Sequence, residues 1–284
     1  MLLVGLGSAL VASVLFNVGI VLQAVDARVA PRELGYRLGL LGRLLRRPRW
    51  VLGFALGLVG VAPQVVAYAN APFVVVQPML ALGLLLVLAL GVHMLGESVG
   101  RREITGVIAI IGGIGLVAWG APPHTESHRG GVAVIAVVAF LAAGGLAPFA
   151  VRGRRLDTGM LAILAAGFGF GATNVATKLF GDDFQLGHYA NSIAWGLVGV
   201  MMGVAAQIAN MTAFQRRAAT AVVPISTSVQ TFLPILLEPF FLREHWGSAV
   251  YDGVPMAAGL VVALIGNVLI SGTRAVSEVI AEAG

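Results

Sequence analysis

The sequence predicts an all-α membrane protein of about nine transmembrane helices, built as two inverted four-helix repeats joined by one linking helix. Three observations lead there. Apolar residues make up 58% of the chain and charged residues 11%, more apolar surface than a soluble core of this size can hide. The uncharged runs have the length a bilayer demands: Gly131 to Val151 holds twenty-one residues without a charge, enough at about 1.5 Å per residue to cross a hydrocarbon core of roughly 30 Å. The segments before and after that run match each other in order, and an odd span between two four-span units turns the second unit upside down.

Met1 to Val25 carries no charge and lacks the basic start of a signal peptide, so it is read as the first span. From residue 26 to 49 the chain is basic. Leu34, Leu38, Leu41 and Leu45 alternate there with arginines, and Pro31 and Pro48 bracket a helix expected to lie flat on the membrane surface. Trp50 to Gly96 is uncharged over about 70 Å of helical rise, so it must fold back. Asn70-Ala71-Pro72 is the expected hinge, giving a second span over Trp50 to Ala69 and a third over Phe73 to Leu95. The fourth span, Ile104 to Gly120, closes a first repeat over residues 1–121, and the linking helix follows at 130–151.

The second repeat covers 158–273. Its spans are predicted at Thr158 to Phe180, His188 to Met211, Ala218 to Leu242 and Gly253 to Ser271, with a tail at 274–284. Loops 1–2, 3–4, 5–6 and 7–8 and the tail share one side in this layout. They hold seven, two, three, two and one basic residues, fifteen of the eighteen. The positive-inside rule then puts the C-terminus in the cytoplasm and the N-terminus outside, as for a multi-pass protein of the cell membrane.

The internal match starts with Leu15-Phe16-Asn17-Val18 over Ala172-Thr173-Asn174-Val175. It continues with Gln64 over Gln207, Pro78 over Pro224, Leu95-Gly96-Glu97 over Leu242-Arg243-Glu244, Gly106 over Gly253 and Gly112 over Gly259. Inverted halves of this kind supply the two conformations that alternating access needs, with the solute held at their interface near the midplane.

Polar residues within spans are the candidate solute ligands. Glu238 is a carboxylate at membrane depth, flanked by Pro234 and Pro239, and Lys178 lies near the same outer face. Asn17 and Asn174 occupy matching places, as do Gln64 and Gln207. Gln77 and Gln230 sit beside prolines that free backbone carbonyls. The plainer role for the amides is helix-to-helix hydrogen bonding, and for Glu238 and Lys178 it is reaching the interface. Helical Ser226, Ser228 and Thr231 are expected to bond their own backbone.

Other classes find no footing. The chain has no cysteine, no P-loop and no assembly of nucleophile and base, and His93, His124, His128, His188 and His245 lack metal-site spacing, so neither enzyme, cofactor nor metal site is expected. The net charge of +5 sits in loops beside spans, where anionic lipid is the expected partner rather than nucleic acid. A second copy of the chain is a further allowed partner.

Trp50 with Gly53, Gln64, the Ala67-Tyr68-Ala69-Asn70-Ala71-Pro72 hinge, Pro78, Leu95-Gly96-Glu97 and Gly106 with Gly112 resemble a repeat of the drug/metabolite transporter superfamily, EamA-like in type. The second copy, from Asn174 to Phe184 with Gln207, Pro224, Glu244 and Gly253, resembles the four-span unit of small multidrug resistance proteins. The nine-span count and the hinge resemble the NIPA-type magnesium transporter branch. The resemblance implies a secondary transporter of a small metabolite or lipophilic solute. A divalent cation transporter for Mg²⁺ is the alternative, and a non-transporting membrane scaffold or subunit another. The chain departs from the small multidrug resistance pattern at Ser13 and Phe170, which stand where that family has a proton-binding glutamate, and it lacks one span of the superfamily's usual ten.

Overall fold

The computed structural model describes residues 2–70, 76, 79–120, 131–150, 159–241 and 250–282, with most of the side chains among them. They form helices and no strands. In chain order these are α1 (Leu2–Arg28), α2 (Leu38–Leu44), α3 (Pro48–Asn70), α4 (Gly83–Leu95), α5 (Arg101–Gly120), α6 (Val132–Ala150), α7 (Gly159–Gln185), α8 (Tyr189–Phe214), α9 (Ala219–Phe241) and α10 (Val254–Glu282), with 3-10 turns at Arg32–Leu34 and Val250–Gly253.

Among the described residues, six stretches are long and apolar enough to cross a membrane: Leu3–Arg28, Arg101–Gly120, Val132–Ala150, Gly159–Thr177, Tyr189–Phe214 and Val250–Ile270. Met79–Leu95 is apolar but shorter, and α3 and α9 are 23 residues each. The lipid side is legible in the exposure pattern. Ile193, Leu197, Val200, Met201 and Val204 stand outward along one face of α8, and Val254, Val261, Leu264, Ile265 and Val268 do the same on α10. Apolar faces of that extent are incompatible with water and suit acyl chains.

Inside, small residues let backbones touch, as membrane helices require in the absence of a hydrophobic drive between them. A Cβ built on Gly113 would stand 2.6 Å from Gly259 O, and one on Gly106 would stand 2.8 Å from Gly266 O. Rising numbers on α5 thus meet falling numbers on α10, and the two helices run antiparallel. Antiparallel too are α1 and α3, where Gly60 abuts Phe16 and Gly53 abuts Gly19, and α7 and α8, where Gly203 abuts Thr173 and Gly196 abuts Phe180.

By contrast, α1 and α8 run parallel. Gln207 Nε2 donates to Gln23 Oε1 at 2.5 Å, and eight residues further along both chains Gln215 Nε2 donates to Pro31 O at 3.0 Å. It follows that α1 opposes α7, and α3 opposes α8. The C-terminal end of α4 meets the N-terminal end of α9.

The surface helix differs from the expected leucine stripe. Tyr36 takes a left-handed φ of 55°, which breaks the helical phase between Leu34 and Leu38, and α2 is only 7 residues long. Its buried pair is Leu40 and Leu44, one turn apart, in one core cluster with Trp50, Met211 and Phe214, while Leu38 and Leu45 face outward. The linker is thereby docked on α8. Tyr36 N–H donates to Thr212 Oγ1 (3.0 Å), and the Trp50 indole N–H to Met211 Sδ (3.2 Å). At the far end of the chain, α10 continues helical to Glu282 through most of the expected tail.

Candidate functional site

Described polar side chains gather where α1 and α4 end and α9 begins, the end of the bundle that carries Arg28, Arg32 and Arg37. The Leu95-Gly96-Glu97 motif builds the first part. Gly96 adopts φ 63°, a left-handed helix end that suits glycine, and Glu97 N–H returns to Gly91 O at 3.1 Å. That turn aims the Glu97 carboxylate at the open N-terminus of α9. Oε1 accepts from Ala219 N–H (2.8 Å) and Oε2 from Thr220 N–H (2.9 Å), while Arg28 Nη1 lies 3.1 Å from Oε1. The same Nη1 donates to Leu95 O at 3.2 Å.

The side chain of Glu97 is 1% exposed. A buried carboxylate is tolerable because helix N–H groups, the positive end of the macrodipole and a guanidinium all face it. One residue therefore ties α4, α1 and α9 together.

Beside it runs a buried polar seam between α1 and α8. Gln23 and Gln207 bridge it at one level, and Gln215 bridges to Ala30 O (3.3 Å) and Pro31 O at another. Between these levels lie Asp26 and Asn210, both buried, with Asp26 Oδ2 and Asn210 Oδ1 lacking a hydrogen-bond partner among the described residues.

The expected ligands are dispersed. Asn17 is buried, and its Nδ2 donates to Ser13 O one turn back (2.7 Å) where α1 meets Gly83 of α4. Ser13 Oγ donates to Leu80 O (2.7 Å), tying α1 to the chain just ahead of α4. Asn174 is exposed on α7, and Gln64 and Gln230 are half-buried on α3 and α9. Gln207 is the member of the set that reaches across to another polar side chain, and its partner is Gln23 rather than Gln64. Gln77, Pro78, the Ala71-Pro72 hinge and Leu242-Arg243-Glu244 lie outside the described residues, as do the side chains of Lys178 and Glu238. The small hydroxyls behave as expected: Ser228 Oγ donates to Pro224 O (2.9 Å) and Ser226 Oγ to Val223 O (3.2 Å).

At the opposite end, a cavity of about 260 Å³ is lined by Gly131, Val134, Ile135, Asp183, Asn191 and Trp195. Asp183 is buried there, 3.4 Å from His188 Nδ1, and His188 N–H donates to Asp183 O (2.8 Å).

Sequence reasoning passed over Glu97, Arg28, Gln23, Asp26, Asn210 and Gln215. It counted Glu97 in a short charged loop and Asp26 in a basic linker. The polar residues Gln207 and Asn210 after the apolar middle of α8, with Gln215 just past its end, were the available signal. Comparison with family models, curated proteins and solved structures finds no match for this chain.

Proposed function

We propose that this chain is a secondary transporter of the drug/metabolite type, carrying a small metabolite or lipophilic solute by alternating access. In this reading nine spans form two four-helix halves of opposite orientation, joined by α6, and the basic end faces the cytoplasm by the positive-inside rule.

The observation that carries the reading is the direction of the matched helices. The sequence match sets α1 over α7 and α3 over α8, and the members of each couple run in opposite directions. The match sets Phe16 over Thr173, and carrying its Gln64-over-Gln207 offset back four residues puts Gly60 over Gly203; the two hairpins pack through these couples, Gly60 on Phe16 and Gly203 on Thr173. Two halves sharing one packing register in opposite senses can exchange conformations at little energetic cost, which is what alternating access asks of a fold.

On this reading the present conformation is closed at the cytoplasmic end. Glu97 holds the N-terminus of α9 against α1 and α4, and the glutamines bridge α1 to α8. Opening inward requires the carboxylate to leave Ala219, Thr220 and Arg28 together, with water replacing each bond. Both sides of that exchange are strong hydrogen bonds, so the two states remain close in energy.

The test is exchange in proteoliposomes. Purified protein is reconstituted with a mixture of labelled small organic solutes and divalent ions, and retained species are identified by mass spectrometry. The reading expects protein-dependent exchange of at least one organic solute. Exchange of Mg²⁺ alone would replace it with divalent transport. No exchange of any solute, together with a membrane protein that co-purifies in fixed ratio, would replace it with a scaffold role.

A further inference from the structure

Asp26 supplies the one carboxylate of the described seam, and its Oδ2, Asn210 Oδ1 and, one level on, Gln215 Oε1 are buried acceptors without a hydrogen-bond partner among the described residues. Gln207 on α8 bonds Gln23 on α1, 184 apart in sequence, and Gln215, just past the end of α8, bonds Pro31 (184 apart) and Ala30 (185 apart), just past the end of α1. The two segments therefore run parallel and in step, which brings Asp26 and Asn210, also 184 apart, to one level between those bridges. Asp26 is 6% exposed and Asn210 1%.

The oxygens Asp26 Oδ2 and Asn210 Oδ1 are acceptors that no donor among the described residues reaches. Gln23 is occupied by Gln207, and Gln215 Nε2 by Ala30 and Pro31. The nearest basic group on the same helix is Arg28. Two residues along a helix puts it on another face, and its guanidinium is committed to Glu97 and Leu95 O. A buried acceptor left without a donor is costly, and a buried carboxylate more so, so the arrangement calls for a positive partner.

We propose that Asp26 and Asn210 form a binding site for a monovalent metal cation, with Na⁺ the fitting size, seated between α1 and α8 one turn inside the cytoplasmic end. One carboxylate balances one positive charge, and the carboxamide oxygen adds a neutral ligand of the hard type that alkali ions take. Mg²⁺ fits poorly, because it holds its waters in an octahedral shell and is poorly matched by a single carboxylate. The role as a coupling ion rests on the transport reading: a cation bridging α1 and α8 favours the conformation in which those helices are together. Binding itself does not depend on that reading.

The experiment is a thermal-shift titration of detergent-purified protein with NaCl, choline chloride holding ionic strength constant at fixed pH. Wild type is expected to gain apparent stability as Na⁺ rises, since a ligand of the folded state shifts the unfolding equilibrium. Asp26→Asn is expected to abolish the Na⁺ response, and Asn210→Leu to weaken apparent affinity at least tenfold. The second variant keeps the test decisive if the first does not fold. A wild type indifferent to Na⁺, a response that both variants retain in full, or one that follows pH and ignores Na⁺ would each overturn the site. Na⁺ binding without solute exchange in liposomes would leave the site standing and remove transport; exchange indifferent to Na⁺ would do the reverse.

Discussion

Glu97 is almost out of reach of solvent, and its three donors differ in what they contribute. Arg28 keeps 34% of its side chain exposed, so water screens its half of the ion pair, and truncating it to Arg28→Ala is expected to cost no more than about 1 kcal/mol. The α9 N–H groups have no such recourse. Glu97→Ala leaves both of them and the guanidinium unpaired and is expected to cost about 3 to 5 kcal/mol. Glu97→Gln retains one acceptor oxygen but turns an NH₂ toward the second N–H, and should fall between the two. Unfolding in detergent, followed by the three variants' midpoints, checks that order; an Arg28 variant as damaging as Glu97→Ala would show that the ion pair, not the helix end, holds the corner.

At the scale of helices, the α5 and α10 seam offers an internal comparison between neighbours. Nothing lies within 4 Å of a Cβ built on Gly112, whereas one on Gly113 meets Gly259 O and Ala263. Gly112→Ala is expected to be neutral or to stabilise by up to about 1 kcal/mol through helix propensity. Gly113→Ala must push α10 away and is expected to cost about 1 to 3 kcal/mol. Equal midpoints for the two variants would contradict the close crossing.

Helix positions were legible because a bilayer imposes length and apolarity directly on sequence: the runs from Gly131 to Val151 and from His188 to Met211 became α6 and α8 with ends moved by a few residues. The surface helix was not, because its phase is reset by the backbone of Tyr36 and its buried face is chosen by α8, and neither shows in the periodicity of Leu34, Leu38, Leu41 and Leu45. The polar seam was hidden for a related reason. Gln23 and Asp26 lie in α1 and Gln207 and Asn210 in α8, and only the parallel docking of α1 on α8 brings the two sets together. Glu97 stood in a matched motif, yet two of its three donors are backbone groups, which leave no mark on side-chain identity, and the third, Arg28, lies far off in sequence.

For the whole molecule, the proposed transport cycle requires two oppositely directed bundles to part and rejoin at the basic end, with Glu97 as the fastening and the α1 and α8 seam beside it. A chain without cysteine allows spin labels to be placed at will. The direct measurement is the distance between labels at Arg102→Cys, beside the Glu97 turn, and Arg217→Cys, just before α9, by double electron–electron resonance in lipid nanodiscs. The expected result is a short distance in the otherwise unaltered protein and a second, longer population that grows when Glu97→Ala is added. One distance, unchanged by loss of the carboxylate, would contradict an opening at this end.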